Sequence, residues 1–214
     1  IRLIPAMEKF AGLKGYTKIF AKVPAHRAEI FLSSGYQKET EVPGFFHGQE
    51  AAFFLGRYLN PQRQKESAVK EIENIIDLAC KKEKQQIISS SLPNGAILRR
   101  CIPDDAERMS GLYKEVFTSY PFPIDKPGYI IKTMLDYIVY FGIEINKKLV
   151  ALSSAEMDIV SKNVEMTDFA TLPEYRGNGF SSQLLKKMEN EMRPRGILTA
   201  YTIARAISPG MNIT

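Results

Sequence analysis

LPEYRGNGFS, residues 172–181, sets an arginine and two glycines one residue apart between a run that reads as a strand and one that reads as a helix. Glycine has no Cβ, so it takes the positive-φ conformations of a tight turn and leaves room for a ligand to come close. A turn that feeds directly into a helix aims several unpaired backbone N–H groups at one point. The helix dipole and Arg176 make that point positive, a place for phosphate. Two familiar phosphate motifs do not fit. The stretch does not follow the first strand of a βαβ unit and lacks a third glycine, which argues against a dinucleotide fold, and no lysine follows in the P-loop position.

Working outward, Phe180, Leu184, Leu185, Met188 and Met192 line one face of a helix that Pro194 and Gly196 end. A strand over 197–205 follows, and Ser208-Pro209 is an N-cap and N1 pair for a further helix. Upstream, a strand over 164–171 leads into the turn. Before it, 138–145 and 149–159 form an antiparallel hairpin about the polar Asn146-Lys147-Lys148 turn. Helices over 103–117 and 129–137 flank the proline-broken loop at 120–124, and a strand over 96–102 opens the unit. Pro103 suits the first helical position, with Asp104 and Asp105 facing the positive end of the dipole. The order is β-α-α-β-β-β-α-β-α.

An earlier unit reads as a strand over 17–23, a short helix closed by Gly35, and a hairpin of 37–42 and 51–59 about a Pro43-Gly44 turn. Val69, Ile72, Ile76 and Ala79 recur at helical spacing within an amphipathic helix over 66–86. Residues 89–95 have turn chemistry and no periodicity, so a boundary falls there. The expected units are 1–60, a bridging helix and linker over 61–95, and 96–214. The chain begins at Ile1 without a methionine and stops at Thr214 inside an element, so part of the natural protein is expected to be missing.

The two cysteines, Cys80 and Cys101, form no CxxC pair, and no histidine stands at ligand spacing, so no disulfide framework and no metal site are expected. No apolar run approaches the roughly eighteen residues of a membrane span and no leader is visible, which points to a cytoplasmic protein without a membrane partner. The net charge of +5 is spread over scattered Lys and Arg, which suits a phosphate-bearing small molecule and not nucleic acid.

A phosphate turn after the fourth strand of β-α-α-β-β-β-α resembles the GNAT family of acyl-CoA-dependent N-acetyltransferases. Their signature, arginine or glutamine, two residues, glycine, one residue, then glycine or alanine, is matched by Arg176-Gly177-Asn178-Gly179-Phe180-Ser181 except at the last place. The resemblance covers 96–214. Residues 165–179 and 200–212 are similar to those GNAT members that acetylate the side-chain amine of β-lysine to give a compatible solute. Residues 17–24 align with 202–209 at Thr, Ala and Pro, and the helix and strand pair that follow resemble the closing half of a GNAT domain. The implied fold is α/β (α+β): a mixed central sheet flanked by helices, preceded by a partial or degenerate GNAT-like unit.

The resemblance also implies a site. Acetyl-CoA is the expected co-substrate, its arm held by the backbone of Thr171 and Leu172 where the fourth strand splays from the fifth. Its pyrophosphate would meet Arg176 and the amides of Gly177, Asn178, Gly179, Phe180 and Ser181. For proton removal the fourth strand offers Glu165 and Asp168, which strand alternation sends to opposite faces, so at most one should reach the cleft. Tyr201 on the fifth strand is a candidate donor to the leaving thiolate. Glu144, Glu156 and Asp158 are candidate receivers of ammonium, Arg205 of a carboxylate, and the 120–123 loop a wall of the amine pocket. His26 and His47 lie outside the catalytic unit. Expected partners are acetyl-CoA and a small amine, and a homo-oligomer is compatible with the sequence. Two alternatives stay open: another small amine or a protein amine as acceptor, or a module that binds acyl-CoA without turnover.

Overall fold

The computed structural model describes residues 3–82 and 92–206. The chain enters through α1 (Leu3–Leu13), continues into β1 (Lys18–Pro24) and α2 (Ala28–Leu32), and returns as the pair β2 (Gln37–Phe46) and β3 (Glu50–Tyr58). The three strands form an antiparallel sheet in the order β1-β3-β2. Alternation along β3 gives it two apolar faces: Leu55 packs with Ile4, Val23 and Tyr36, while Ala52 and Phe54 pack with Phe45.

The hairpin expected at 37–59 forms, but its turn is not Pro43-Gly44. β2 runs through both residues to Phe46 with a register shift between Val42 and Phe46, and the reversal falls on His47 and Gly48, at φ 56° and 70°. An irregular strand tolerates Pro43, which has no N–H to give a ladder. Two helical segments had no clear periodic signal, α1 and the single turn α3 (Pro61–Gln64), which Asn60 caps by accepting from Gln62 N at 2.9 Å. The amphipathic helix is α4 (Val69–Lys82). It starts later than 66 because the Glu66 side chain accepts from Ala68 N at 2.8 Å, closing a local turn instead. Residues 83–86 of the expected helix, 89–91 of the expected boundary and the helix anticipated at Ser208 lie outside the described residues.

The larger sheet opens with β4 (Ala96–Arg100), passes through α5 (Ala106–Val116) and α6 (Pro127–Asp136), and continues as β5 (Ile138–Ile145), β6 (Lys148–Asp158) and β7 (Asn163–Thr171). Then α7 (Phe180–Met192) crosses over to β8 (Thr199–Tyr201). Strand order is β4-β5-β6-β7-β8, antiparallel except for the parallel β7–β8 pair. Helices cover both faces. Tyr140 on β5 meets Thr133 of α6 at 2.9 Å on one face, and Ser153 on β6 donates to Met188 Sδ of α7 at 3.0 Å on the other. Burial on both faces explains why β5 and β6 read as almost unbroken apolar runs.

Asp105 anchors the start of the first crossover. It accepts from Ile102 N at 2.9 Å and from Arg99, and Arg108 bonds to it as well. Arg99 and Arg108 both continue to Glu144 on β5. Hydrogen bonds from the two guanidiniums hold the Asp105 carboxyl well below the usual carboxylate range. The strand expected over 197–205 is only Thr199–Tyr201, where the pairing with β7 among the described residues ends at Glu165–Tyr201.

The first sheet docks on this end of the larger one. His47 N donates to Ser161 O at 2.7 Å, Asn163 Nδ2 to Phe45 O at 3.1 Å and Thr199 Oγ1 to Gly44 O at 2.6 Å. Phe45 and Phe54 pack on Tyr201, ring centroids 5.3 and 5.9 Å away. Asn163 is 2% exposed, so its loss strands a buried carbonyl. Replacing it with alanine is expected to cost about 1–3 kcal/mol in denaturant unfolding and to speed proteolysis within residues 3–60 first.

Candidate active site

Two backbone features meet at the end of β7. Pairing with β8 spans only Asn163–Thr199 to Glu165–Tyr201, yet β7 continues to Thr171. Among the described residues, its outer edge is therefore open over 166–171. Leu172 N donates to Val150 O at 3.0 Å, so by the alternation of an antiparallel ladder the polar groups of Thr171 face the open edge. The Thr171 carbonyl accepts from Arg176 Nε at 3.3 Å. Of the two residues expected to meet an extended ligand, Thr171 presents its N–H to the gap and Leu172 spends its own on the sheet.

The quoted turn follows at once. Pro173–Tyr175 makes one tight helical turn, Arg176 is extended and exposed, and Gly177 and Gly179 take φ of 80° and 70°. A Cβ on Gly177 would meet nothing within 4 Å, so the space beside it is open and the positive φ is what calls for glycine. Gly179 is the N-cap of α7 and no side chain caps the helix; the amides of Phe180, Ser181 and Ser182 precede the first helical bond, Gln183 N to Gly179 O. Phe180 is buried and pins the helix start, while Asn178 Nδ2 braces the loop on Tyr175 O at 2.9 Å. An open, uncapped helix start beside an arginine fits a pyrophosphate group.

The acidic residues gather behind this gap. Glu165 pairs across the ladder with Glu156, and Thr167 with Ser154, so these four share a face. Asp168 does not take the opposite face that alternation predicts. A bulge between the 154–167 and 152–170 pairs throws it to φ 55°, and its carboxylate accepts from Ser154 Oγ at 2.5 Å and from the Tyr120 hydroxyl. The extra residue in the strand cancels the alternation, and both carboxylates reach the same side. Burial pushes the Asp168 carboxyl up, against the pull of its two hydrogen bonds, and lifts the Tyr120 hydroxyl well above its ordinary range.

A cavity of about 320 Å³ opens on this face, lined among others by Lys22, Phe45, Glu156, Asn163, Glu165 and Tyr201. Glu156 is half-buried, and burial, with Asp168 and Glu165 adding negative charge, pushes its carboxyl up to about 7. The Tyr201 hydroxyl donates to Glu165 Oε2 at 3.0 Å and is held far above its usual range by burial and by Glu165. A larger cavity, about 450 Å³, lies under the β5–β6 turn, but Arg108 and Lys148 on its wall are paired with Glu144 and Glu174 and it holds none of the carboxylate cluster.

The profile of the Acetyltransferase (GNAT) family matches residues 108–208. A "Beta-lysine N(6)-acetyltransferase" of Methanococcus maripaludis is 40% identical over 212 residues, covering 99% of this chain and 76% of that protein. Another protein of that name, from Methanosarcina mazei, is 32% identical over 228 residues, 97% and 83% of the respective chains. The "N-acetyltransferase YodP" of Bacillus subtilis is 31% identical over 211 residues, 99% of this chain and 76% of that protein. The chain belongs to the GNAT family of acetyltransferases.

In this GNAT member the side chains named from sequence separate into groups. Thr171 and residues 176–181 lie together along the gap, with Leu172 buried behind them. Glu165, Asp168 and Tyr201 meet on one face. Glu144 is committed to Arg99 and Arg108, Asp158 accepts from Ser161 N at 2.9 Å in a turn, and Arg205 Nη2 donates to Ser119 O at 3.1 Å. Glu156 gains weight through its cross-strand position, which two acidic residues on facing strands of a hairpin meander could have signalled. The link from Tyr120 to Asp168 and the approach of Lys22 leave no trace in local spacing. Because both glycines take positive φ and the space beside Gly177 is open, Gly177→Val with Gly179→Val is expected to weaken acetyl-CoA binding by about tenfold or more, with the far-ultraviolet circular dichroism unchanged.

Proposed function

We propose that the chain transfers the acetyl group of acetyl-CoA to the N6 amine of β-lysine. The observation that carries this reading is the 40% identity, over 99% of the chain, to a protein named "Beta-lysine N(6)-acetyltransferase". The site chemistry supports it. An acceptor with two amines and one carboxylate is a net cation near neutral pH, and the acidic side chains on the cavity wall, Glu156, Asp158 and Glu165, with Asp168 close to Glu156, suit the binding of ammonium.

Acetyl-CoA supplies an activated acyl group on a thiol leaving group. The chain's residues bind, orient and move protons. The amides at the start of α7 and Arg176 hold the pyrophosphate end, and the Thr171 N–H on the open edge of β7 receives the arm. The attacking amine must lose a proton, and a carboxylate pushed up to about 7 is matched to that task at neutral pH. Glu156 is the base in this reading. Asp168, with both oxygens already accepting hydrogen bonds, holds the Tyr120 loop against the sheet. Tyr201 orients Glu165. Residues 1–60, read as a partial GNAT-like unit, close the far wall of the acceptor cavity through Phe45 and Phe46.

Glu156 works as a base only when ionised. Its contribution is present above its folded pKa and lost as pH falls through about 7. The expected kcat/KM for β-lysine therefore rises through neutral pH, and Glu156→Gln removes that limb and lowers kcat by about a hundredfold. Thiol release with β-lysine, lysine, a polyamine and a lysine peptide offered in parallel tests the acceptor. Selective turnover of β-lysine is expected; preference for the peptide, or silence across the panel with acetyl-CoA bound, overturns the reading.

A further inference from the structure

Lys22 belongs to β1 of the first sheet, yet its side chain ends in the second. Its Nζ donates to the Tyr201 hydroxyl at 2.7 Å and to Glu165 Oε2 at 3.2 Å, and lies over the rings of Phe54 and Tyr201, 5.4 and 5.0 Å from their centroids. Tyr201 closes the triangle on the same Glu165 oxygen. One carboxylate of the cross-strand pair is thus bound by a cation and a phenol, and the other, Glu156, is not in an ion pair among the described residues. The cation of this pair of partners comes from outside the catalytic unit and the phenol from within it.

We propose that Lys22 is a positioning residue for acetyl transfer: it locks Glu165 and Tyr201 in place and leaves Glu156 as the group that takes the acceptor's proton. This rests on the reading of Glu156 as the base. Two carboxylates directly opposite on neighbouring strands repel, and without a cation they share a proton between them. With Lys22 bound to one, the proton has a single address.

The groups facing Glu156 are Glu165 and Asp168 from β7, Lys22 from β1, Tyr201 from β8, Tyr140 from β5, and Tyr120, Tyr129 and Tyr137 from α6 and its flanks, with Asp158 beside it on β6 in the same cavity. Each of these phenols is raised above its ordinary range and stays neutral near pH 7. Burial first, and then the carboxylates and Lys22, therefore set where Glu156 titrates. Lys22 pulls its pKa down against burial. Removing the ammonium raises the pKa, so the acid limb of activity moves to higher pH. Docking of the first sheet and proton transfer in the second are coupled through one side chain.

The experiment is the pH dependence of kcat/KM for β-lysine in the full chain carrying Lys22→Met, Lys22→Arg or Glu156→Gln. Lys22→Met is expected to move the acid limb up by about one pH unit and to lower kcat at neutral pH about tenfold, with acetyl-CoA affinity unchanged, while Lys22→Arg restores the limb. A Lys22→Met protein that melts and binds acetyl-CoA like the parent, with its limb at the parent pH, overturns the proposal. Lys22→Gln, which keeps hydrogen-bond donors but no charge, takes its place if the methionine variant does not fold. If Glu156→Gln keeps the limb, the base assignment itself fails; if it removes the limb and Lys22→Met leaves it in place, only the role of Lys22 fails.

Discussion

Parallel pairing between β7 and β8 stops at Glu165–Tyr201, and the geometry of the site follows from that stop. A parallel pair that ran the length of β7 would spend every outward N–H and C=O on its neighbour. Because β8 is three residues long, the last six residues of β7 keep an open edge among the described residues, and the chain between the two strands is an α-helix whose start no side chain caps. Both sets of unpaired amides sit along one gap. Unsatisfied backbone groups are costly when buried, and here they border the space where an elongated anionic ligand fits.

The bulge in β7 is the second constraint. It bends the strand away from regular pairing at Asp168 and brings a third carboxylate to the face already occupied by Glu156 and Glu165. Such a cluster is electrostatically unfavourable, and the protein offsets it differently at each member. Asp168 takes hydrogen bonds from Ser154 and Tyr120, and Glu165 takes them from Lys22 and Tyr201. Glu156 keeps a raised pKa. Three similar side chains thus meet three different sets of partners on one face.

The first sheet is bound by more than apolar contact. Its backbone carbonyls at Gly44 and Phe45 are received by Thr199 and Asn163, side chains at the ends of β8 and β7. The irregular stretch of β2 that disposes of Pro43 turns those carbonyls outward. A feature that looks like a turn in sequence thus serves as the docking point between two sheets.

The cradle at 176–181, the amphipathic face of α7 and the strand–helix order were legible in the sequence because each depends on residues within a few positions of one another: glycine conformational freedom, a 3.6-residue repeat, a proline at a helix start. What the sequence could not carry were the length of β8, the side to which Asp168 turns and the reach of Lys22. Lys22 and Tyr201 are 179 residues apart, and Tyr120 and Asp168 are 48 apart. Their contacts exist only once two sheets have packed and one strand has bulged. The sequence by itself determined a GNAT-like α/β chain with a phosphate turn. Tertiary structure decided which carboxylate stands unpaired in the cavity, since a proton's affinity for a side chain is set by burial and by charges brought close through packing.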